Sequence, residues 1–411
     1  MSSMTLREVD VTRIPEPLPK SVHDRLHNIL RLDERAVRSG RAETPLTLFE
    51  RPVDQQLDEW LQRQLTADAD GRRRMPGVLL LGESGNGRTF TLLQAVERAR
   101  SRGWLALYLP KASEWNDGHG RFAGVYDRGS EGVLALEIPR YYDRPTQVLE
   151  LVRCFRTAHA DTLRELRCAP PDELRAHTCI DVPDEADTER ECQTHGCETL
   201  LQLADTLLSY EPVLPTDEYQ QAMLTIGTLF RSLLRQLQRV QQVPVLVAVD
   251  EWNYLNSVTG FGHPTRMGHW VHAAALRSAR PLNAWNAYAR LGAHMARGLV
   301  LCAETAANIR GQVRRKRVFG SLAHPTTDEM RGDSAGRQAA ARILHTADEE
   351  TAAARPLALT IPRFTREECF TLLSDMERNQ VFRHTDDAML WRLHTLGGGN
   401  AARLVRLCRA V

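Results

Sequence analysis

The sequence predicts an α/β fold in which a parallel sheet, flanked by helices, is built around a phosphate-binding loop. Three observations predict it. Residues 78–91 read VLLLGESGNGRTFT, an apolar run followed by a glycine-rich turn and then a hydroxyl residue. Residues 245–251 read VLVAVDE, a second apolar run that ends in two acids. Residues 298–303 read GLVLCA, a third. Short apolar runs without polar alternation are what strands buried on both faces of a parallel sheet require.

Taken in order, residues 1–20 are punctuated by proline and read as an extended N-terminal arm. Ser21 to Asp24 has capping-box spacing and opens a helix that ends at Gly40. A second helix begins at Asp54, with Leu57, Trp60, Leu61 and Leu65 as its apolar stripe. Val78 to Leu81 form the first buried strand, and the turn after it matches G-x-x-x-x-G-K-[ST] except for Arg88 at the lysine position. Gly82, Gly85 and Gly87 let the backbone wrap closely and point successive N–H groups inward. The helix that starts near Arg88 faces the same anion with its positive end. Gly82, Glu83, Ser84, Gly85, Asn86, Gly87, Arg88, Thr89 and Phe90 are therefore the expected nucleotide-binding residues. Thr89 is placed to put its hydroxyl on a magnesium ion. Arg88 still supplies positive charge, but its planar fork is bulkier than an ammonium.

The loop helix is expected to end near Gly103, and Trp104 to Leu109 to form the next buried strand. Helical periodicity resumes over 146–166. Residues 168–198 are acidic and irregular, with little to bury. A long amphipathic helix over 218–240 leads to the strand ending in Asp250 and Glu251. Asp250 is expected beside the phosphate loop, sharing the magnesium with Thr89. Glu251 stands where many ATPases of this type carry the base that polarises water. The alternative is a core strand that simply ends in solvated charge. Residues 298–303 make a fourth strand. The last part of the chain reads as mostly helical, with a Gly397-Gly398-Gly399-Asn400 corner before a helix bearing Arg403. That corner resembles the helical lid of AAA+-type ATPases; a glycine-rich helix entry and a surface arginine is the plain alternative. The expected organisation is an arm and helix over 1–45, a nucleotide-binding core over 46–325 with an insertion at about 168–215, and a lid-like helical subdomain over 326–411.

Composition narrows the function. Lys plus Arg number 53 and Asp plus Glu 52, so no global basic field drives non-specific nucleic-acid binding. No stretch approaches the ~20 apolar residues of a membrane span. Eight scattered cysteines do not make a disulfide scaffold. No targeting peptide is evident in the first 20 residues, where Glu8, Asp10 and Glu16 offset the cations. His177, Cys179, Cys192, His195 and Cys197 bring five soft ligands together, and Cys179, Cys192, His195 and Cys197 are a candidate zinc set, although their spacing is not that of a zinc ribbon. Arg310, Arg314, Arg315, Lys316 and Arg317 form the densest basic cluster, a candidate RNA-phosphate contact or a solvated charge run.

The order of segments resembles the mitochondrial ribosomal small-subunit family known as death-associated protein three. Its loop pattern is met by Gly82, Glu83, Gly85, Gly87 and Thr89, and its next strand by Trp104, Leu105, Leu107, Pro110, Ala112 and Trp115. Tyr142, Asp143, Pro145 and Phe155 match a third element; Leu246, Val247, Ala248, Val249, Asp250, Asn253 and Leu255 match a fourth. The resemblance implies a P-loop, AAA+-like core that binds GTP or GDP, or ATP, with magnesium. It further implies the mitochondrial matrix, the head of the small ribosomal subunit, ribosomal proteins and rRNA as neighbours, and contact toward the large subunit. The chain departs from the family at Arg88 and at Glu251, where the family often has a small residue. Two functions follow: a structural ribosomal protein that holds nucleotide, or an active ATPase or GTPase switch with Glu251 as base and Arg403 as a lid sensor.

Overall fold

The apolar runs become the central strands of one parallel sheet. The computed structural model describes residues 5–9, 46–66, 77–116, 123–125, 141–176, 191–193, 196–210, 217–256, 258–262, 270–273, 276–282, 295–305, 357–378 and 387–410. In chain order, β1 (Thr5–Val9) and β2 (Leu46–Glu50) form an antiparallel ribbon. Next come α1 (Pro52–Thr66), β3 (Gly77–Leu81), α2 (Arg88–Ser101) and β4 (Leu105–Leu109). They are followed by β5 (Ala123–Val125), β6 (Tyr141–Asp143), α3 (Pro145–Glu165), α4 (Pro171–Ala176), α5 (Leu200–Ser209) and α6 (Asp217–Arg239). The remainder holds β7 (Val245–Val249), β8 (Val258–Gly262), β9 (Trp270–His272), β10 (Gly298–Ala303) and β11 (Leu357–Thr360), then α7 (Arg366–Arg378), α8 (Asp387–Gly397) and α9 (Ala401–Ala410).

The main sheet has five strands in the order β11-β3-β10-β7-β4, all parallel. Side-chain alternation divides it into two cores. Val78, Leu80, Ala106, Tyr108, Leu246, Ala248, Leu299 and Leu301 face α1 and α2. Leu79, Leu105, Leu107, Val245, Val247, Val300 and Cys302 face α3, α5 and α6. Burial on both faces is why these strands read as continuous apolar runs. All five carboxyl ends share one edge, the edge at which open α/β sheets bind ligands.

The boundaries differ from expectation in two places. β11 is the fifth strand of the sheet, although it comes from the segment expected to be a helical subdomain; only α7, α8 and α9 form that helical unit, around Cys369, Leu372, Leu373, Leu393 and Leu404. The acidic insertion also buries more than expected, since Glu191 and Cys192 are fully enclosed. Glu191 is tolerated there because Arg231 Nε and Arg235 Nη2 of α6 lie 2.6 and 2.9 Å from its carboxylate, and Arg277 Nη2 lies at 3.1 Å. Burial raises the Glu191 pKa, but the three guanidinium charges outweigh it and hold the group below its ordinary value.

Candidate nucleotide-binding site

The loop between β3 and α2 begins where the last apolar residue of β3 gives way to Gly82. Its carbonyls are turned outward and engaged. Glu83 O accepts from Asn86 N, Ser84 O from the Asn400 amide at 2.6 Å, Gly85 O from Ala402 N, Asn86 O from Arg51 Nη1 at 2.9 Å, and Gly87 O from Thr91 N. By contrast, among the described residues no acceptor meets the N–H groups of Ser84, Gly85 and Gly87. The first-turn N–H groups of α2, from Arg88 to Phe90, add to that set, as a helix N-terminus dictates. Gly87 caps α2 with φ 96°, so the helix opens directly on the loop. Carbonyls fixed on one side and donors left on the other make an anion cradle.

The space over the carbonyl side is taken by the C-terminal segments. Gly85 has φ +93°, and a Cβ there would lie 2.4 Å from Asn400 Oδ1 and 2.8 Å from the Ala402 Cβ. Gly85→Ala should therefore both strain the backbone, by about 1–3 kcal/mol, and push α9 off the loop. A lowered melting temperature with faster proteolysis of the C-terminal helices would register this; an unchanged melting curve would refute it.

Arg51 is the clamp. It is buried just before α1, and its guanidinium reaches Glu368 Oε1 at 3.0 Å, Asn86 O, and the carbonyls of Pro362 and Arg363 at 3.1 and 3.3 Å. It also lies 4.1 Å from the Phe364 ring centroid. Glu368 completes a capping box with Thr365 at the start of α7, accepting from Thr365 N at 2.7 Å while its own N–H bonds the Thr365 hydroxyl. Asn400 likewise serves two masters: Oδ1 accepts from Arg403 N at 3.0 Å, capping α9, while Nδ2 holds Ser84 O.

The acidic residues converge on the same edge. Asp250 follows β7 and is 1% exposed; its Oδ1 accepts from Glu251 N at 2.8 Å. Glu304 follows β10, the strand lying between β3 and β7, and its N–H bonds Leu80 O at 3.1 Å. Arg88 sits among them, 6% exposed, with Nη1 3.9 Å from Glu304 Oε2 and no hydrogen-bond acceptor. Burial lowers the Arg88 pKa, against the opposing pull of Glu304 and Asp250. A buried guanidinium donor without an acceptor is costly unless a ligand supplies one. The Thr89 hydroxyl, half-buried at the first turn of α2, likewise meets no partner among the described residues.

Glu251 has φ 58°, the left-handed region, and is buried; its carboxylate accepts from the Ser113 hydroxyl in the turn after β4. That turn and the one after β7 are knitted together by Ala112 N to Asp250 O at 3.1 Å and by the Asn116 amide to Tyr254 O. Asn253 and Thr305 exchange two hydrogen bonds, of 2.8 and 2.9 Å, tying the end of β10 to the same floor. The segments matched by residues 104–115 and 246–255 thus meet at the carboxyl edge of the sheet.

Other expected residues lie elsewhere. The Phe90 ring packs against the core beneath α1 and α2, leaving only its N–H for a ligand. The Arg403 side chain is solvent-exposed on α9. His177, Cys179, His195 and the cluster Arg310, Arg314, Arg315, Lys316 and Arg317 lie outside the described residues. Cys192 is buried, and burial raises the pKa of its thiol. Among the described residues no group of three His, Cys, Asp or Glu side chains could hold a metal ion by itself. No described helix is long and apolar enough to cross a membrane.

Arg51, Glu304, Glu368 and Asn400 were not legible as site residues. Glu304 carried only the weak signal of a polar residue after a buried strand.

A family model described as mitochondrial ribosomal death-associated protein 3 matches residues 59–283, more than half of the chain. No curated protein matches it.

Proposed function

The chain belongs to the mitochondrial ribosomal death-associated protein 3 family, and from that premise we propose that it is a structural protein of the small ribosomal subunit that holds a nucleoside polyphosphate. The observation that carries the nucleotide is the buried Arg88 Nη1 without an acceptor among the described residues, beside a loop whose Ser84, Gly85 and Gly87 N–H groups meet none there either. The N–H groups of Ser84, Gly85 and Gly87 to Phe90 would bind phosphate oxygens, and Arg88 would neutralise them. Thr89 and Asp250 would hold magnesium together with phosphate and water, since one or two carboxylates plus phosphates are this ion's usual set. Bound nucleotide with magnesium would supply charge compensation for Arg88 and for the acidic edge. It would also stabilise the native state by mass action. GTP, GDP and ATP all present the same phosphates to this cradle.

Holding rather than turnover is supported by Glu251. Its carboxylate is engaged by Ser113, and the Arg403 side chain is exposed to solvent. The docked C-terminal helices fit the same reading, because they fasten the loop from its carbonyl side and leave the donor side fixed.

The test is nucleotide content. Purified wild-type protein should release guanine or adenine nucleotide on denaturation, near one per chain. Arg88→Lys should retain it, and Arg88→Met should lose it roughly tenfold or more, by the 1.5–3 kcal/mol that a charge-assisted hydrogen bond contributes. Equal content in Arg88→Met and wild type would sink the assignment. Turnover of GTP or ATP that Glu251→Gln abolishes would favour the switch reading instead.

A further inference from the structure

A peptide bond is planar and trans, so the C=O of one residue and the N–H of the next point in opposite directions from one plane. Whatever holds the carbonyl therefore aims the amide. Gly85 N–H shares its plane with Ser84 O, which accepts from Asn400 Nδ2 at 2.6 Å. Gly87 N–H shares its plane with Asn86 O, which accepts from Arg51 Nη1 at 2.9 Å. Ser84 N–H shares its plane with Glu83 O, which accepts from Asn86 N at 3.2 Å within the loop itself. Each of the loop's N–H groups without an acceptor is thus aimed by a donor on the far side, and two of those donors come from outside the loop.

The Ser84–Gly85 plane has the greatest need of a holder. A peptide plane turns over by rotation about the bonds on either side of it, and here one of those bonds belongs to a glycine, which populates positive and negative φ alike. Gly85 stands at φ 93°. Turned over, the plane would present Ser84 O to an anion in place of Gly85 N–H. Asn400 opposes this from a fixed position, because it is 5% exposed and its amide is oriented at both ends. Oδ1 accepts from Arg403 N, while Nδ2 also meets Asn86 Oδ1 at 3.3 Å. The corner before it is seated as well. Phe364 N donates to Gly399 O at 2.8 Å, and a Cβ on Gly399 would lie 2.6 Å from Phe364 O.

We infer that Asn400 is a positioning residue of the nucleotide site: by holding Ser84 O from the C-terminal helical unit, it keeps the Gly85 N–H turned toward the phosphates. The inference rests on the nucleotide reading and adds a dependence to it. Phosphate binding is tied to a side chain 316 residues from Ser84 in sequence, acting from the opposite side of the loop.

The experiment uses the full chain, freed of nucleotide and titrated with magnesium and fluorescent GTP or ATP analogues. Asn400→Ser keeps a capping oxygen for Arg403 N but is too short to reach Ser84 O. Asn400→Asp keeps the cap and sets an acceptor against that carbonyl. Affinity should fall roughly three- to tenfold in Asn400→Ser, the scale of one hydrogen bond, and further in Asn400→Asp. A general loosening of the helical unit would have the same sign, so the second readout is the amide signals of protein labelled with 15N-glycine. In wild type, nucleotide should slow hydrogen exchange at both Gly85 and Gly87. In Asn400→Ser, saturated with nucleotide, Gly85 should lose that protection while Gly87, aimed by Arg51, keeps it. Unchanged affinity in both variants, or Gly85 and Gly87 responding alike in Asn400→Ser, overturns the positioning role and leaves the nucleotide site standing. A wild type in which neither amide responds and no analogue binds removes the nucleotide site and this inference with it.

Discussion

Replacing Arg51 by methionine is expected to destabilise the protein by about 3–5 kcal/mol, the usual cost of removing one member of a buried ion pair. Methionine fills similar space but leaves Glu368 as a buried charge and the Asn86, Pro362 and Arg363 carbonyls without their donor. Arg51 and Glu368 are 317 residues apart in sequence, so the pair is what pins the helical unit to the sheet. The loss should appear as a lower denaturant midpoint together with early proteolytic release of α7 to α9. Since whole domains are stable by only about 5–15 kcal/mol, Arg51→Met is expected to fold in low yield. Arg51→Lys is the milder companion: it keeps one charge but cannot span the several acceptors that a fork reaches, and it should fall between the two. A midpoint within about 0.5 kcal/mol of wild type for Arg51→Lys and Arg51→Met alike would show that the clamp is incidental.

Glu191→Gln is expected to be as severe. The substitution keeps the shape of the side chain and removes the carboxylate that three buried guanidinium groups share, so about 3–5 kcal/mol is again the scale. The same residue predicts a pH dependence. Its folded pKa lies below the unfolded value, so its contribution is fully present above the ordinary glutamate pKa of 4.5 and is lost as the pH falls through the folded value. Wild type should therefore lose stability on the acid side of pH 4.5 more steeply than Glu191→Gln, measured by urea midpoints across that range. Parallel acid limbs for the two proteins would refute the role assigned to Glu191.

Much of the sheet was readable because its interior strands have no polar face. The runs at 78–81, 105–109, 245–249 and 298–303 are buried on both sides, and the glycine loop announces itself by composition. β11 was not readable: LALT is four residues long, partly exposed at the sheet edge, and lacks an unbroken run. The glycine-loop half of the candidate site was local and therefore visible. Its other half is not local. Arg51, Glu368 and Asn400 act on the loop from opposite ends of the chain, and no window of sequence records such a contact. Glu191 hid in a segment that looked like solvated acid. The signal that points to it lies on α6, where Arg231 and Arg235, one helical turn apart, are buried on a helix that also buries Phe230, Leu233, Leu234 and Leu237. A cation among buried apolar residues calls for an anion from elsewhere.

The position of β11 has a consequence for how the chain assembles. Strand β3, which leads into the glycine-rich loop, is an interior strand, and its two neighbours, β10 and β11, are the last two strands of this sheet in chain order. Until they arrive, β3 has neither edge paired, and its nearest sequence neighbour in the sheet, β4, finds its place three positions away, beyond β10 and β7. Contacts of such long sequence separation fold slowly and leave unpaired apolar edges exposed in the meantime. The sheet can be completed only near the end of synthesis, so a nascent or truncated chain ending before Leu357 should be a client of chaperones and prone to aggregate, even though it contains the entire phosphate loop.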